Sequence, residues 1–186
     1  EQNDYRTITI ISRDLLECLL RDCVRRILPP SEGDLLQSNI GKFNIKAYEF
    51  TGYAARFDSV QAYYESNLSL LAPKVRSELF PSDRPIYTSV WDEAPVRYGL
   101  EATVENSLLA DGCIVEGEVE NSLLSRGVFV GKGAKVRNCV LMQGTHVGNH
   151  TTLDYVITDK RVIVKDNRSI MGYTTYPMYI SKGSVV

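Results

Sequence analysis

A single short phrase recurs along the second half of the chain, and it restricts the fold more than any other feature. Its copies are Val104-Glu-Asn-Ser-Leu-Leu-Ala-Asp-Gly112, Val119-Glu-Asn-Ser-Leu-Leu-Ser-Arg-Gly127 and Val136-Arg-Asn-Cys-Val-Leu-Met-Gln-Gly144. Leu153-Asp-Tyr-Val-Ile157 reads as a fourth copy with one residue missing, and the leading aliphatics Val104, Val119, Val136 and Leu153 are spaced 15, 17 and 17 residues apart. Self-similarity at such a period marks a stack of units, none of which can bury its apolar face alone. Within each period a second phrase places an aliphatic before glycine, as in Val130-Gly131 and Val147-Gly148. Three short strands per coil account for the period, with Gly, Asn and Asp at corners that require positive φ. The expected fold is mainly β: a parallel β-helix of hexapeptide type over residues 100–186. Val104, Val119, Val136, Leu153, Val130 and Val147 are its interior columns. Asn106, Asn121 and Asn138 are expected to form a corner ladder bonded to turn backbone. The tyrosine-rich segment 170–186 departs from the phrase and reads as an atypical cap.

The residues before the repeat have a different character. Ser12 to Ile27 has apolar residues at helical spacing behind a capping serine, ended by Pro29-Pro30. Thr7 to Ile11 and Phe43 to Phe50 read as strands. Asp58 to about Leu71 reads as a second helix with Asp58 or Ser59 as its cap. Residues 1–75 thus read as a strand–helix–strand–helix, α/β tail, too small to be a complete nucleotide-binding domain. Pro73 to Pro95 reads as a proline-rich extended stretch, and residues 76–99 are taken as the connector.

The formal charge of −2 gives no electrostatic footprint for nucleic acid or an anionic membrane. No apolar run approaches the ~20 residues that span a bilayer. Glu1-Gln2-Asn3-Asp4 shows neither the basic nor the apolar part of an export signal, and the chain starts without Met beside a strand-like run. We therefore expect a cytoplasmic protein and a fragment of a longer one. Cys18, Cys23, Cys113 and Cys139 form no C-x-x-C pair and read as buried free thiols.

An Ala-Tyr-Tyr-Glu-Ser-Asn-Leu run at 62–68, Arg84-Pro-Ile-Tyr-Thr88, Pro95-x-x-Tyr-Gly99 and the Val-Glu-Asn-Ser-Leu-Leu coils follow one another in order. This series resembles glucose-1-phosphate adenylyltransferase, and more closely its bacterial regulatory, GlgD-type subunit, over essentially the whole chain. The resemblance implies a Rossmann-like nucleotidyltransferase domain, of which residues 1–75 would be the C-terminal α/β remnant, joined to a left-handed β-helix. For catalytic relatives it implies the conversion of ATP and glucose 1-phosphate to ADP-glucose and pyrophosphate, with Mg2+. Catalytic members carry Trp-Arg-Asp-Val-Gly-Thr just before an Ala-Tyr-Trp-Glu-Ala-Asn helix, and the aspartate of the first phrase holds the metal. Here the matching stretch is Ala54-Ala55-Arg56-Phe57-Asp58-Ser59, so Arg56 stands at the metal position. At ~4 Å a guanidinium repels a divalent ion by about 8 kcal/mol for an effective dielectric near 20, and it does not lose its proton. No G-x-G-x-x-G occurs either. The implied chain has no catalytic residues and no cofactor of its own. It would be a regulatory subunit that joins a catalytic partner in a hetero-oligomer, a tetramer by resemblance.

Two other readings stay open. A β-helix acyltransferase acting on a sugar or small amine would use a coil histidine as general base, and His146 is the candidate over His150. A purely structural assembly module would use neither. Lys132, Lys135, Arg137, Lys160 and Arg161 are candidates for an anion or effector site, against the plainer reading of solvated charge. Tyr87, Trp91, Pro95 and Tyr98 are expected to form an aromatic seam where the connector meets the first coil.

Overall fold

The structure, a computed structural model, describes residues 10–26, 41–42, 44, 46–88 and 92–186. It divides into two compact units, Glu1–Thr51 and Gly52–Val186. In the first, the amphipathic pattern forms helix α1 (Arg13–Arg26), with Leu16 N–H donating to Ser12 O at 3.0 Å. The strand expected over 7–11 lies largely outside the described residues. So do Phe43 and Ile45 of the 43–50 strand, and the rest of that segment is irregular and exposed. The α/β character expected for the N-terminal third is therefore not seen among the described residues.

The second unit opens with α2 (Val60–Ser69) and α3 (Pro73–Leu79). Ser59, rather than Asp58, caps α2, its hydroxyl accepting from Ala62 N at 3.0 Å. Helix α3 corrects the extended reading of the connector. Pro73 starts a helix because its missing N–H is an orphan at the first helical position and its fixed φ already suits one. Arg76 then reaches back, donating to Leu70 O at 2.6 Å and Leu71 O at 2.7 Å, and so satisfies carbonyls at the end of α2.

From Arg97 onward the chain is a parallel β-helix. Fifteen short strands, β1 (Arg97–Tyr98) to β15 (Met178–Ile180), form three five-stranded sheets. Sheet 1 has the order β1, β4 (Ile114–Val115), β7 (Phe129–Val130), β10 (His146–Val147), β13 (Ile163–Val164); sheet 2 has β14 (Ser169–Met171), β11 (Thr152–Asp154), β8 (Lys135–Arg137), β5 (Glu118–Glu120), β2 (Thr103–Glu105); sheet 3 has β15, β12 (Val156–Thr158), β9 (Val140–Leu141), β6 (Leu123–Leu124), β3 (Leu108–Leu109). The phrase spacing is the strand register. Val104 pairs with Val119, Val119 with Val136, Val136 with Leu153, and Leu153 with Ile170. Val115, Val130, Val147 and Val164 form the second column. All but the end members of these columns are essentially inaccessible, and Val104, in the first coil, is half-buried. At about 1.5–3 kcal/mol per buried aliphatic, each coil gains several kcal/mol against its ordering entropy.

Each corner has its own column of left-handed residues. Asn106, Asn121, Asn138 and Tyr155 turn sheet 2 into sheet 3, with φ from 43° to 54°. Gly112, Gly127, Gly144 and Arg161 turn sheet 3 into sheet 1, and Gly133, His150 and Asn167 close the third corner. The fourth copy lacks nothing, which corrects the sequence reading: Ile157 pairs with Val140 and Thr158 with Leu141, so Tyr155 occupies the asparagine position. The asparagines also bond differently from expectation. Asn106 Nδ2 donates to Asn121 Oδ1 at 2.7 Å and Asn138 Nδ2 to Asp154 Oδ1 at 2.9 Å, so side chains of successive coils hold one another. The shorter first period arises at the third corner. There Val115 is followed by Gly117 and Val119, while later coils insert two further residues, as in Val130-Gly131-Lys132-Gly133 before Val136.

The aliphatic–glycine signature has a steric cause. A Cβ on Gly148 would lie 2.6 Å from Asp166 N and 2.6 Å from the Lys165 carbonyl carbon, and Gly131 meets the following coil in the same way. Gly148→Ala should therefore cost about 1–3 kcal/mol through forced backbone displacement, read as a lowered urea midpoint.

Residues 170–186, expected as an atypical cap, continue the stack as one more coil. Strands β14 (Ser169–Met171) and β15 extend sheets 2 and 3, and Val185 bridges Ile163 on sheet 1. Tyr173, Tyr176 and Tyr179 stay exposed because they lie on a turn or on an outward strand position, not in the interior columns.

Candidate functional site

The helix that carries the 62–68 phrase docks on sheet 3. Tyr64 is 3% exposed, and its hydroxyl donates to Asn138 O at 2.7 Å. Its ring packs with Val140 and Ile157, and its centroid lies 6.3 Å from that of Tyr155. Desolvation in this seam holds the Tyr64 phenol well above its ordinary pKa, with nearby Cys139, Tyr155 and Asp154 adding to the effect. The corner residue Tyr155 and the helical Tyr64 thus meet over the strands that α2 covers. Sequence reading missed this seam, because nothing in either motif alone shows that a helix and a coil corner 90 residues apart are neighbours.

The expected aromatic seam at the connector does not form among the described residues. Tyr87, Pro95 and Tyr98 are exposed, and Trp91 lies outside the described residues. Arg56 lies just upstream of α2, its Nε 3.5 Å from Asp58 Oδ2, with both side chains more than half exposed. Exposure weakens the Coulomb term of this pair, yet the chemistry of the donor set is clear. The position at which the resemblance implies a metal-binding aspartate holds a guanidinium, and the Asp58 carboxylate faces that guanidinium. Among the described residues no group of three His, Cys, Asp or Glu side chains converges as a metal site. These residues do not fit the magnesium that the resemblance implies for catalytic members.

His146 lies on the outer surface of sheet 1, exposed, its ring stacked on Phe129 at 4.5 Å and 7°. It lines neither of two clefts beside sheet 3. His150 is a corner residue that lies over Gly133. The basic candidates are not gathered in one place. Lys135 and Arg137 pair with Glu118 and Glu120 on sheet 2 at 3.4–3.9 Å, Lys160 borders a groove on sheet 3, Arg161 turns a corner, and Lys132 is exposed at another.

Cys113 and Cys139 are buried free thiols, Cys18 is exposed on α1, and the Cys23 side chain lies outside the described residues. Burial pushes the Cys139 thiol up to about 12, and its sulfur donates to Arg137 O at 2.9 Å. Because the thiolate is the nucleophile, iodoacetamide at neutral pH should modify Cys18 in the native protein and reach Cys139 only after denaturant is added. Peptide mass mapping checks this.

The three parallel sheets, the aliphatic columns and the left-handed corners define a hexapeptide-type left-handed β-helix protein. A family model for GlmU-like, C-terminal hexapeptide regions matches residues 95–175. The chain belongs to the glucose-1-phosphate adenylyltransferase family. It is 42% identical over 152 residues to the glycogen biosynthesis protein GlgD of Bacillus subtilis (strain 168), covering 82% of this chain and 44% of that protein. It is 34% identical over 124 residues to the glucose-1-phosphate adenylyltransferase of Bacillus cytotoxicus, covering 67% of this chain and 33% of that one. The enzyme of the same name from Fervidobacterium nodosum is 34% identical over 139 residues, covering 74% and 34%. The chain spans less than half the length of each of these relatives.

Proposed function

We propose that this chain belongs to a regulatory, non-catalytic subunit of glucose-1-phosphate adenylyltransferase. In this reading it acts in cytoplasmic glycogen synthesis by assembling with a catalytic partner into a hetero-oligomer. The observation that carries the reading is Arg56. Where catalytic relatives place a metal-binding aspartate, this chain places a cation paired with Asp58. Likeness to the protein named GlgD supports the glycogen role. Among the described residues no helix is long and apolar enough to cross a membrane, and the net charge of −2 gives no reason to expect nucleic acid as a partner.

The test is an assay of the complete, purified protein for magnesium-dependent ADP-glucose formation, alone and co-purified with the catalytic subunit. Alone, it should show no turnover. Arg56→Asp should leave it inactive, because a metal ligand without the other phosphate and sugar contacts does not assemble a transition-state site. With the catalytic subunit it should co-elute and change kcat or KM. Turnover by the pure protein would overturn the non-catalytic reading, and failure to co-elute would overturn the partnership.

A further inference from the structure

A cleft of about 550 Å³ opens between the approach to α2 and the outer surface of sheet 3, at the strands β12 (Val156–Thr158) and β15. Its size falls in the range of small-molecule sites. Three rings border it: Phe57, Tyr63 and Tyr179, the first two edge-to-face with centroids 5.6 Å apart. Its polar lining includes Asp58, Asp159, Ser59 and Thr158, and among the described residues no lysine or arginine lines it. The charge of Arg56 lies against Asp58, which leaves Asp159 as the uncompensated charge. Asp159 Oδ2 accepts from the Tyr179 hydroxyl at 3.2 Å, and Oδ1 accepts from Lys160 N at 2.6 Å, so the carboxylate is held at the wall of the cleft. The phenols of Tyr63 and Tyr179 are both raised above their ordinary value, by desolvation first, with the Asp159 carboxylate adding to it.

This combination selects against a phosphorylated ligand and for one that is apolar on one face and hydroxylated at its edges. A pyranose has that shape: its C–H face lies on an aromatic ring, and its hydroxyls donate to a carboxylate in charge-assisted bonds. We infer that the cleft is a carbohydrate site that takes a neutral ligand of one or two hexose units, with Phe57 and Tyr63 beneath the ring face and Asp159 as the principal acceptor. The inference goes beyond the regulatory reading and does not depend on it: Asp58, the partner of Arg56, lines the cleft, but the ligand need not react.

Saturation-transfer NMR on the complete protein with maltose as probe tests it. Transfer to maltose is expected, with a Kd on the order of 1 mM. Phe57→Ala and Asp159→Asn, at exposed and half-buried positions that the fold does not depend on, should each weaken binding about tenfold. Glucose should displace maltose at lower concentration than glucose 1-phosphate does. Absence of transfer, binding indifferent to both variants, or preferential displacement by glucose 1-phosphate would each overturn the assignment. None of these outcomes changes the result of the ADP-glucose assay, so the two readings fail separately.

Discussion

Val136→Asp should unfold the β-helix or bring it close to unfolding. Val136 is completely buried in β8 (Lys135–Arg137), in register between Val119 and Leu153. A carboxylate there would leave water with apolar columns above and below it. It would also find no spare donor: among the described residues, every buried side-chain nitrogen or oxygen already has a hydrogen-bond partner. An unpaired buried polar group costs several kcal/mol, and a charge costs more until it takes up a proton. That is a large part of the ~5–15 kcal/mol that holds an ordinary domain together. Because each coil is supported only by its neighbours, the damage spreads to the adjacent coils. Thermal melting followed by circular dichroism checks this, with Val136→Ala as the control, expected to cost roughly 2 kcal/mol. A variant that melted like the parent would mean that Val136 does not face the interior.

The part of the fold that can be read from sequence is the part governed by periodicity. Leading aliphatics recur because the interior of each coil has one slot for them, and the same columns appear as parallel pairings in the structure. Corner residues were legible for a similar local reason, since asparagine and glycine tolerate positive φ. The misreadings show where local rules end. Tyr155 and Arg161 hold corner positions with positive φ although neither residue type announces it, which is why the fourth copy looked short by one. Pro73 signals a break when read alone and a helix start when Ala72 precedes it as the cap. Segment 170–186 looked foreign because its turn at Tyr173–Tyr176 interrupts the phrase, while its strands still find the same three sheets. Arg56 was legible through the family phrase. The cleft was not, because Phe57 and Tyr179 come together only when α2 is docked.

That docking rests on Tyr64, and Tyr64→Ala should release α2 while leaving the coils folded. The ring is buried against Val140 and Ile157, which belong to successive coils of sheet 3, and its hydroxyl reaches the carbonyl of Asn138 at the corner below. Removing a buried aromatic of this size costs about 3–5 kcal/mol. Helix α2 has only ten residues, fewer than a helix needs to persist in water without packing. The loss therefore falls on the helix and not on the β-helix, whose columns Tyr64 does not enter. Hydrogen exchange should rise across residues 60–69 while amides of β8 to β12 stay protected, the opposite of the pattern from Val136→Asp. Tyr64→Phe keeps the ring and loses one hydrogen bond, about 1 kcal/mol, so it should leave α2 docked but more easily opened. The phenol adds a pH signature. Its folded pKa lies above the ordinary value of 10.0, so between the two values the unfolded chain releases a proton that the docked helix retains. The stability of the seam is full below pH 10.0 and falls as the pH rises beyond it. Tyr64→Phe should remove that alkaline decline in α2 protection, and a decline of equal slope in the phenylalanine variant would show that Tyr64 is not the group responsible.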